Sequence, residues 1–299
     1  MNTIKPLLVA AVVSFALPAP AILKVFACEP EWGALVRELG GSKVEVYDAT
    51  TGLQDIHQIQ ARPSLLAKAR SADLMVCTGA ELEIGWLPLV RRQSANPRLQ
   101  PGQLGYLEAA SAVTMLEVPE SVDRALGDIH PFGNPHVQTD PRNMIKVAAA
   151  LARRLAQLDP TNAAGYQEAL AAFNSKWTQA LERWQAKAAP LKGAKIVAHH
   201  KSWPYLADWL GLEIVGLLEP KPGIPPSSTH LAGLLSDLQG QPVRAIIRSG
   251  YEDARPSEWL AARIHAPAVL VPQTVGAAPA AADLFTLYDA MLDALLGAK

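Results

Sequence analysis

Three histidines, His57, His136 and His200, lie at points where a predicted strand or loop leads into a predicted helix. Neutral imidazole binds zinc, copper and nickel well, whereas magnesium, calcium and manganese prefer oxygen ligands. In open α/β sheets, ligands bind beyond the carboxyl ends of the strands, which is where all three histidines are expected. The sequence therefore predicts a three-histidine metal site, with zinc (Zn2+) as the first choice.

Each of these histidines also has a simpler interpretation. His57 is compatible with an exposed polar loop, and His136 with a residue that merely precedes a helix. His200 has a neighbour, His199, and adjacent residues at a strand end point to opposite faces of the sheet. One of the two is therefore expected in the site, and the strand pattern does not distinguish between them.

The other three histidines are weaker candidates. His130 precedes His136 by six residues in a loop with glycine and proline, where it is either an accessory ligand or a solvated loop residue. His230 is expected in the first turn of one helix and His265 in the last turn of another. We expect both residues to be surface positions and not ligands. The position of His265 also matches the preference of a helix carboxyl end for positive charge.

Strand-like and helix-like segments alternate along two parts of the chain, which is the order of βαβ units and predicts parallel sheets. The first part has predicted strands at 23–28, 44–48 and 74–78 and predicted helices at 31–39 and 64–71. The second part has predicted strands at 196–199, 213–217, 243–248 and 268–271 and predicted helices at 203–210, 229–239, 256–265 and 282–296. We therefore predict an α/β fold made of two α/β lobes with parallel-type sheets.

The segment between the lobes is predicted to be helical. Asp140-Pro141 and Asp159-Pro160 each place an N-cap residue before a proline, which is typical of a helix start. The second helix is expected to run to about Ala188, and its roughly 28 residues would span about 40 Å as one long rigid backbone helix. Its predicted buried face consists of Phe173, Trp177, Leu181 and Trp184.

The first residues have the order of a secretory signal: Lys5, an apolar stretch, and a small-residue site after which we expect cleavage, at Ala21. The apolar stretch is too short to cross a bilayer. The predicted organisation is a signal peptide at 1–21, an N-terminal lobe at 22–140, a helical connector at 141–189 and a C-terminal lobe at 190–299. The mature chain would carry 26 basic and 28 acidic residues, a balance that favours neither nucleic acid nor membrane insertion.

The two cysteines, Cys28 and Cys77, each lie near the end of a predicted strand in the N-terminal half. In an exported chain they can form a disulfide, and the alternative is a pair of small buried thiols. Zinc binding by this pair is disfavoured because the cysteines lack the close spacing of structural zinc sites.

Five segments in the same order resemble the metal-specific periplasmic solute-binding proteins of ABC transporters, in particular their zinc-binding members (the cluster A-I or cluster 9 class). The resemblance covers essentially the whole chain after the signal peptide. The segments are Asp55-x-His57 with Arg62-Pro63-Ser64, Ala72-Asp73-Leu74 leading to Gly79-Ala80-Glu81-Leu82-Glu83, Gly133-Asn134-Pro135-His136 with Asp140-Pro141, His200 with Trp203 and Tyr205, and Glu219-Pro220 leading to Gly223-Ile224-Pro225-Pro226-Ser227.

The resemblance implies two α/β lobes joined by one long helix, with the metal held in the cleft between them. The family's third ligand histidine lies five residues before a tyrosine, which selects His200 over His199. By this resemblance the protein is not an enzyme. It is expected to be a periplasmic, monomeric carrier that captures zinc and delivers it to an inner-membrane ABC transporter permease.

The chain also departs from the family. The histidine-rich loop that many members carry before the second ligand is reduced here to Asp128 and His130. Manganese-binding members supply an aspartate after the last strand, whereas 272–276 contains no acid, which favours zinc. For the fourth coordination position the candidates are water, Glu252 and Asp253, and both acids are also explained as ordinary solvated loop residues.

Two alternatives come from other functional classes. Three histidines with an open position are also the arrangement of a catalytic zinc, which would make the protein a zinc-dependent hydrolase. The sequence, however, lacks His-Glu-x-x-His and has no carboxylate clearly placed as a general base. A metal-binding adhesin or a periplasmic zinc chaperone on the same fold is the other alternative, since fold alone does not decide function.

Overall fold

The computed structural model describes residues 22–121, 127 and 130–298. The predicted signal peptide at 1–21 lies outside these residues. Within them, no helix combines the length and the apolar character that a membrane span requires. The chain forms two α/β lobes, each with a four-stranded sheet, and a pair of helices connects them.

The first sheet has the strand order β2-β1-β3-β4, and all of its strand pairs are parallel. Its strands are β1 (Leu23–Ala27), β2 (Val44–Asp48), β3 (Leu74–Cys77) and β4 (Tyr106–Glu108). The helices of this lobe are α1 (Pro30–Gly40), α2 (Pro63–Ser71) and α3 (Leu87–Ser94). The segments α3 and β4 were not predicted from the sequence. β4 has only three residues, which is too short to show a strand pattern.

The second sheet repeats the same arrangement with the order β6-β5-β7-β8, again with parallel pairs. Its strands are β5 (Lys195–Ala198), β6 (Glu213–Leu217), β7 (Val243–Arg248) and β8 (Ala268–Leu270). Helices α6 (Pro204–Leu210), α7 (Ser228–Asp237), α8 (Ala254–Ile264) and α9 (Leu284–Gly297) accompany them. The prediction of two parallel α/β lobes is confirmed, while the domain boundaries themselves stay a prediction.

Two helices, α4 (Pro141–Leu158) and α5 (Ala163–Ala188), connect the lobes. The Asp140 side chain accepts a hydrogen bond from the backbone N–H of Arg142 and thereby caps α4, as the sequence predicts. The start of α5 differs from the prediction, because Pro160–Asn162 forms a 3-10 turn and the α-helix begins at Ala163. The long backbone helix is confirmed.

The predicted buried face of α5 packs against α9, the last helix of the second lobe. The indole rings of Trp177 and Trp184 are fully buried and contact Phe285 and Tyr288. Trp177 Nε1 donates to the Pro141 carbonyl over 2.8 Å, so the indole N–H is satisfied inside the core. Leu181 is only partly buried, and it packs at the edge of the same core.

Several polar contacts also join the two lobes at the cleft. The Tyr288 hydroxyl donates to the Gln138 carbonyl over 2.6 Å, and Thr274 donates to the Glu31 carboxylate. The main hydrophobic core contains residues from both sheets and from α4, α5 and α9. The cleft therefore lies between two lobes that share one core.

The two cysteines form a disulfide, which is one of the two arrangements that the sequence allows. Cys28 follows β1 and Cys77 ends β3, two neighbouring strands of the first sheet, and both side chains are fully buried. Glu83 lies close to this pair. With both sulfurs in the disulfide, no thiolate remains there to bind a metal.

Candidate metal centre

Three histidines converge in the cleft between the lobes. His57 lies in the 3-10 turn Ile56–Gln58 after β2, His136 immediately precedes the turn that leads into α4, and His200 follows β5. One ligand nitrogen from each lies within 4.8 Å of the other two, and the ring centroids are 5.3–5.7 Å apart. The structure therefore brings together all three histidines that the sequence singles out.

Each of the three rings is held through Nδ1 by a side-chain oxygen. His57 Nδ1 lies 2.8 Å from Asp55, His136 Nδ1 lies 3.0 Å from Asn134, and His200 Nδ1 lies 2.6 Å from Glu219. An acceptor on Nδ1 fixes the tautomer with its lone pair on Nε2, which is the usual support for a metal-binding histidine. Nε2 of both His57 and His136 is buried without a partner among the described residues, as expected of a nitrogen that binds an ion.

The first two histidines are positioned by the same local motif. The Asp55 side chain accepts from both the backbone N–H and Nδ1 of His57, and the Asn134 side chain does the same for His136. An acidic or amide residue two positions before a histidine is thus the sequence signal for this support. Asp55 and Asn134 lie in the segments that carry the family resemblance, but their supporting role was not predicted from the sequence.

His199 occupies a different environment from His200. Its backbone N–H donates to the Ile247 carbonyl, and its buried Nδ1 has no partner among the described residues. Burial lowers the pKa of His199 despite the nearby Glu219 carboxylate. His199 does not belong to the group whose nitrogens converge, and His200 does.

Tyr205 links the second lobe to the loop that carries His136. Its hydroxyl donates to the Asn134 carbonyl over 2.8 Å and accepts from the backbone N–H of Leu116 over 3.0 Å. The Asn134 amide in turn donates to the Lys201 carbonyl over 2.8 Å. These bonds connect the His136 loop to the segment that carries His200. They therefore fix the relative positions of the two imidazoles across the cleft.

Burial in the cleft favours the neutral form of two of its histidines, His136 and His130. Burial lowers the pKa of His136 well below its usual value, and the neighbouring histidines His200 and His57 add to this effect. Burial, followed by the influence of His57 and His200, lowers the pKa of His130 to about 4. Neutral imidazoles have the free lone pair that metal binding requires.

We expect Glu219→Gln to lower zinc affinity about 10- to 100-fold, because the charged acceptor on His200 Nδ1 is lost while the shape is kept. A competitive zinc titration measures the change. The control is Glu213→Gln, at an exposed position of β6, which should leave the affinity unaltered. Equal affinity of Glu219→Gln and the unsubstituted protein would contradict a supporting role for Glu219.

The two acids considered for the fourth position have partners outside the histidine group, although Glu252 Oε1 is buried without a partner among the described residues. Asp253 caps α8 and accepts from Arg255, and Glu252 accepts from the backbone N–H of Ser249 over 2.6 Å. Neither belongs to the histidine group whose ligand atoms converge within 4.8 Å. Burial raises the pKa of Glu252 to about 8.

Glu252→Gln is expected to raise the thermal stability of the metal-free protein strongly at pH 8.5 and much less at pH 5. The carboxyl ionises near pH 4.3 in the unfolded chain but near 8 in the folded protein, so stability falls as pH rises through this interval. Glutamine removes that penalty. Unfolding temperatures at the two pH values test this, with the exposed Glu258→Gln as the control. An equal shift at both pH values would show that ionisation of Glu252 is not the cause.

Known proteins share the fold of this chain and resemble its sequence. A crystal structure of ZnuA has a TM-score of 0.75 and 23% identity, covering 91% of this chain and 99% of that one, so the two share a fold. The high-affinity zinc uptake system protein ZnuA of Paracoccus denitrificans is 23% identical over 308 residues, covering 92% of this chain and 91% of that protein. The manganese ABC transporter substrate-binding lipoprotein PsaA of Streptococcus pneumoniae is 23% identical over 238 residues, covering 78% and 74%.

Some other streptococcal relatives match over shorter segments. The metal ABC transporter substrate-binding lipoprotein SsaB of Streptococcus sanguinis is 24% identical over 156 residues, which is 52% of this chain and 48% of that protein. The chain therefore spans about half the length of such relatives. These relatives are named for metal binding in ABC transport, the class of solute-binding protein that the resemblance implied.

The family model described as "ZnuA: Zinc-uptake complex component A periplasmic" matches residues 25–298. The chain therefore belongs to the ZnuA family of metal-binding proteins of ABC transporters. The resemblance stated from the sequence is confirmed. Relatives named for zinc and for manganese both match, so the choice of metal depends on the chemistry of the site.

Proposed function

We propose that this protein captures Zn2+ in the interlobe cleft with His57, His136 and His200 and delivers it to an ABC-type importer of the inner membrane. The observation that carries the proposal is the convergence of three Nδ1-anchored imidazoles. A metal ion is the cargo in this role, and no covalent chemistry is needed. A periplasmic location agrees with the description of the family, and the carrier is proposed to act as a monomer.

Zinc is proposed over manganese because of the donor set. All three members of the converging group are imidazoles, and no carboxylate belongs to it among the described residues. Nitrogen donors suit zinc, whereas manganese prefers a larger number of oxygen donors. The carboxylates of Asp55 and Glu219 are held against Nδ1 atoms, where they support the ligands.

Metal analysis and competitive titration of the mature protein test the choice of metal. The protein, freed of metal by a chelator, is titrated with zinc against a chromophoric competitor, first alone and then with excess manganese. One equivalent of zinc that manganese does not displace supports the proposal. A preference for manganese would overturn it.

Growth experiments test the transport role separately from metal binding. A strain that lacks the protein should grow poorly when a chelator limits zinc, and added zinc should restore growth. Complementation with the His136→Ala variant should fail, because the carrier would be made but would not hold its ion. Normal growth of the deletion strain would instead favour an adhesin or a chaperone on the same fold.

A further inference from the structure

A fourth imidazole, that of His130, lies beside the three-histidine group. Its ring centroid is 5.6 Å from that of His57, which is within the spacing of the three converging rings themselves. His130, His136 and His200 line one open cavity of about 130 Å³ together with Asn134 and Lys201. His130 therefore lies on the side of the site that faces this open cavity.

The Nε2 atom of His130 is in the same state as the Nε2 atoms of His57 and His136. It is buried and has no partner among the described residues. The backbone of Glu81 lies beside this ring. A buried imidazole nitrogen without a hydrogen-bond partner is unfavourable unless it finds one.

The local backbone explains how this ring is held at the site. Ala80 and Glu81 both have positive φ (51° and 66°), and this turn presents the Glu81 backbone towards His130. The backbone N–H of Gly133 donates to the His130 carbonyl over 3.2 Å and closes a turn three residues before His136. His130 and His136 are thus attached to the same short, hydrogen-bonded segment.

We propose that His130 is the fourth ligand and closes the site into a four-imidazole coordination shell. This inference rests on the proposed function, since it needs the three-histidine site to hold the ion. His130 Nε2 is not among the nitrogens that all lie within 4.8 Å, so the ring moves inward as it binds. Tetrahedral zinc with bonds of about 2.0–2.1 Å requires such a contraction of all four nitrogens.

A closed shell differs chemically from an open one. Zinc sites with four protein ligands exclude water, whereas sites with three ligands keep an exchangeable position for water or another small ligand. Closure by His130 would slow zinc release, disfavour ions that need six ligands, and leave no bound water to activate. A site closed by His130 would therefore lack the zinc-bound water that a zinc hydrolase needs.

Cobalt substitution gives a direct test, because visible absorption of Co2+ reports the number and type of its ligands. The Co2+-loaded unsubstituted protein is expected to keep its spectrum when thiocyanate or imidazole is added. In Co2+-loaded His130→Ala the spectrum should respond to both, with added imidazole restoring the original bands. Zinc dissociation should also become faster in this variant, on the order of tenfold or more. Phe132→Ala, an exposed change in the same loop, is the control.

The outcomes separate this inference from the proposed function. If the unsubstituted Co2+ protein binds thiocyanate as readily as His130→Ala does, the fourth position is open and His130 is not a ligand. If one equivalent of Co2+ is bound and lost in His136→Ala, the proposed site stands whatever His130 does. If the unsubstituted protein binds no stoichiometric Co2+ or Zn2+, the proposed function itself fails.

Discussion

His136→Ala is expected to lower zinc affinity by more than about 100-fold, because loss of a ligand should exceed the 10- to 100-fold effect of losing a supporting hydrogen bond. His136 is the most buried of the three converging histidines, with 1% of its surface exposed, and its Nε2 has no other partner among the described residues. Competitive titration against a zinc chelator measures the change. His57→Ala and His200→Ala are expected to behave alike.

The matched control is His230→Ala. His230 lies in the first turn of α7, where its Nε2 contacts the Leu217 carbonyl over 2.9 Å, and it does not belong to the histidine group. Circular dichroism of every variant establishes that the fold is retained. An affinity of His136→Ala within a few-fold of that of His230→Ala would refute the ligand assignment.

Replacing both cysteines with serine is expected to lower the free energy of unfolding by about 4 kcal/mol, the loop-closure value for a loop of roughly 50 residues. The bridge joins positions 49 residues apart in sequence, at the ends of two neighbouring parallel strands. Without it, the unfolded chain gains the freedom that the closed loop removes. Urea denaturation of the oxidised protein and of Cys28→Ser/Cys77→Ser measures the difference.

A reductant supplies the control for the disulfide. It should destabilise the unsubstituted protein by a similar amount and leave the double serine variant unaffected, since that variant has no bridge to break. Zinc stoichiometry should remain one in the variant, because the cysteines do not belong to the histidine group. A loss below about 1 kcal/mol, or a loss of bound zinc, would contradict this account.

The sequence predicted the fold well where the signal is local and repeated. Alternating strand and helix patterns around β1, β2 and β3 placed their ends within a residue or so of the observed bounds. The segments α3 and β4 were not predicted, and for β4 the reason is physical. β4 acquires its three-residue strand conformation by pairing with β3, and that partner is distant in sequence.

The convergence of the three histidines was predictable, and their surroundings were less so. His57, His136 and His200 stood out by position, but strand alternation alone did not separate His199 from His200. The difference comes from tertiary structure, because Glu219 approaches Nδ1 of His200 from the segment after β6. The position of His130 beside His57 likewise depends on tertiary structure, which no local pattern encodes.

The shared core has a consequence for how the molecule unfolds. Helix α5 packs against α1 of the first lobe and α9 of the second, and the largest hydrophobic cluster runs through both sheets. Neither lobe can lose its structure without exposing apolar surface of the other, so heating should produce one calorimetric transition whose van't Hoff and calorimetric enthalpies agree. Two resolved transitions would contradict this cooperativity. An ion bound only in the cleft would then raise the melting temperature of the entire chain.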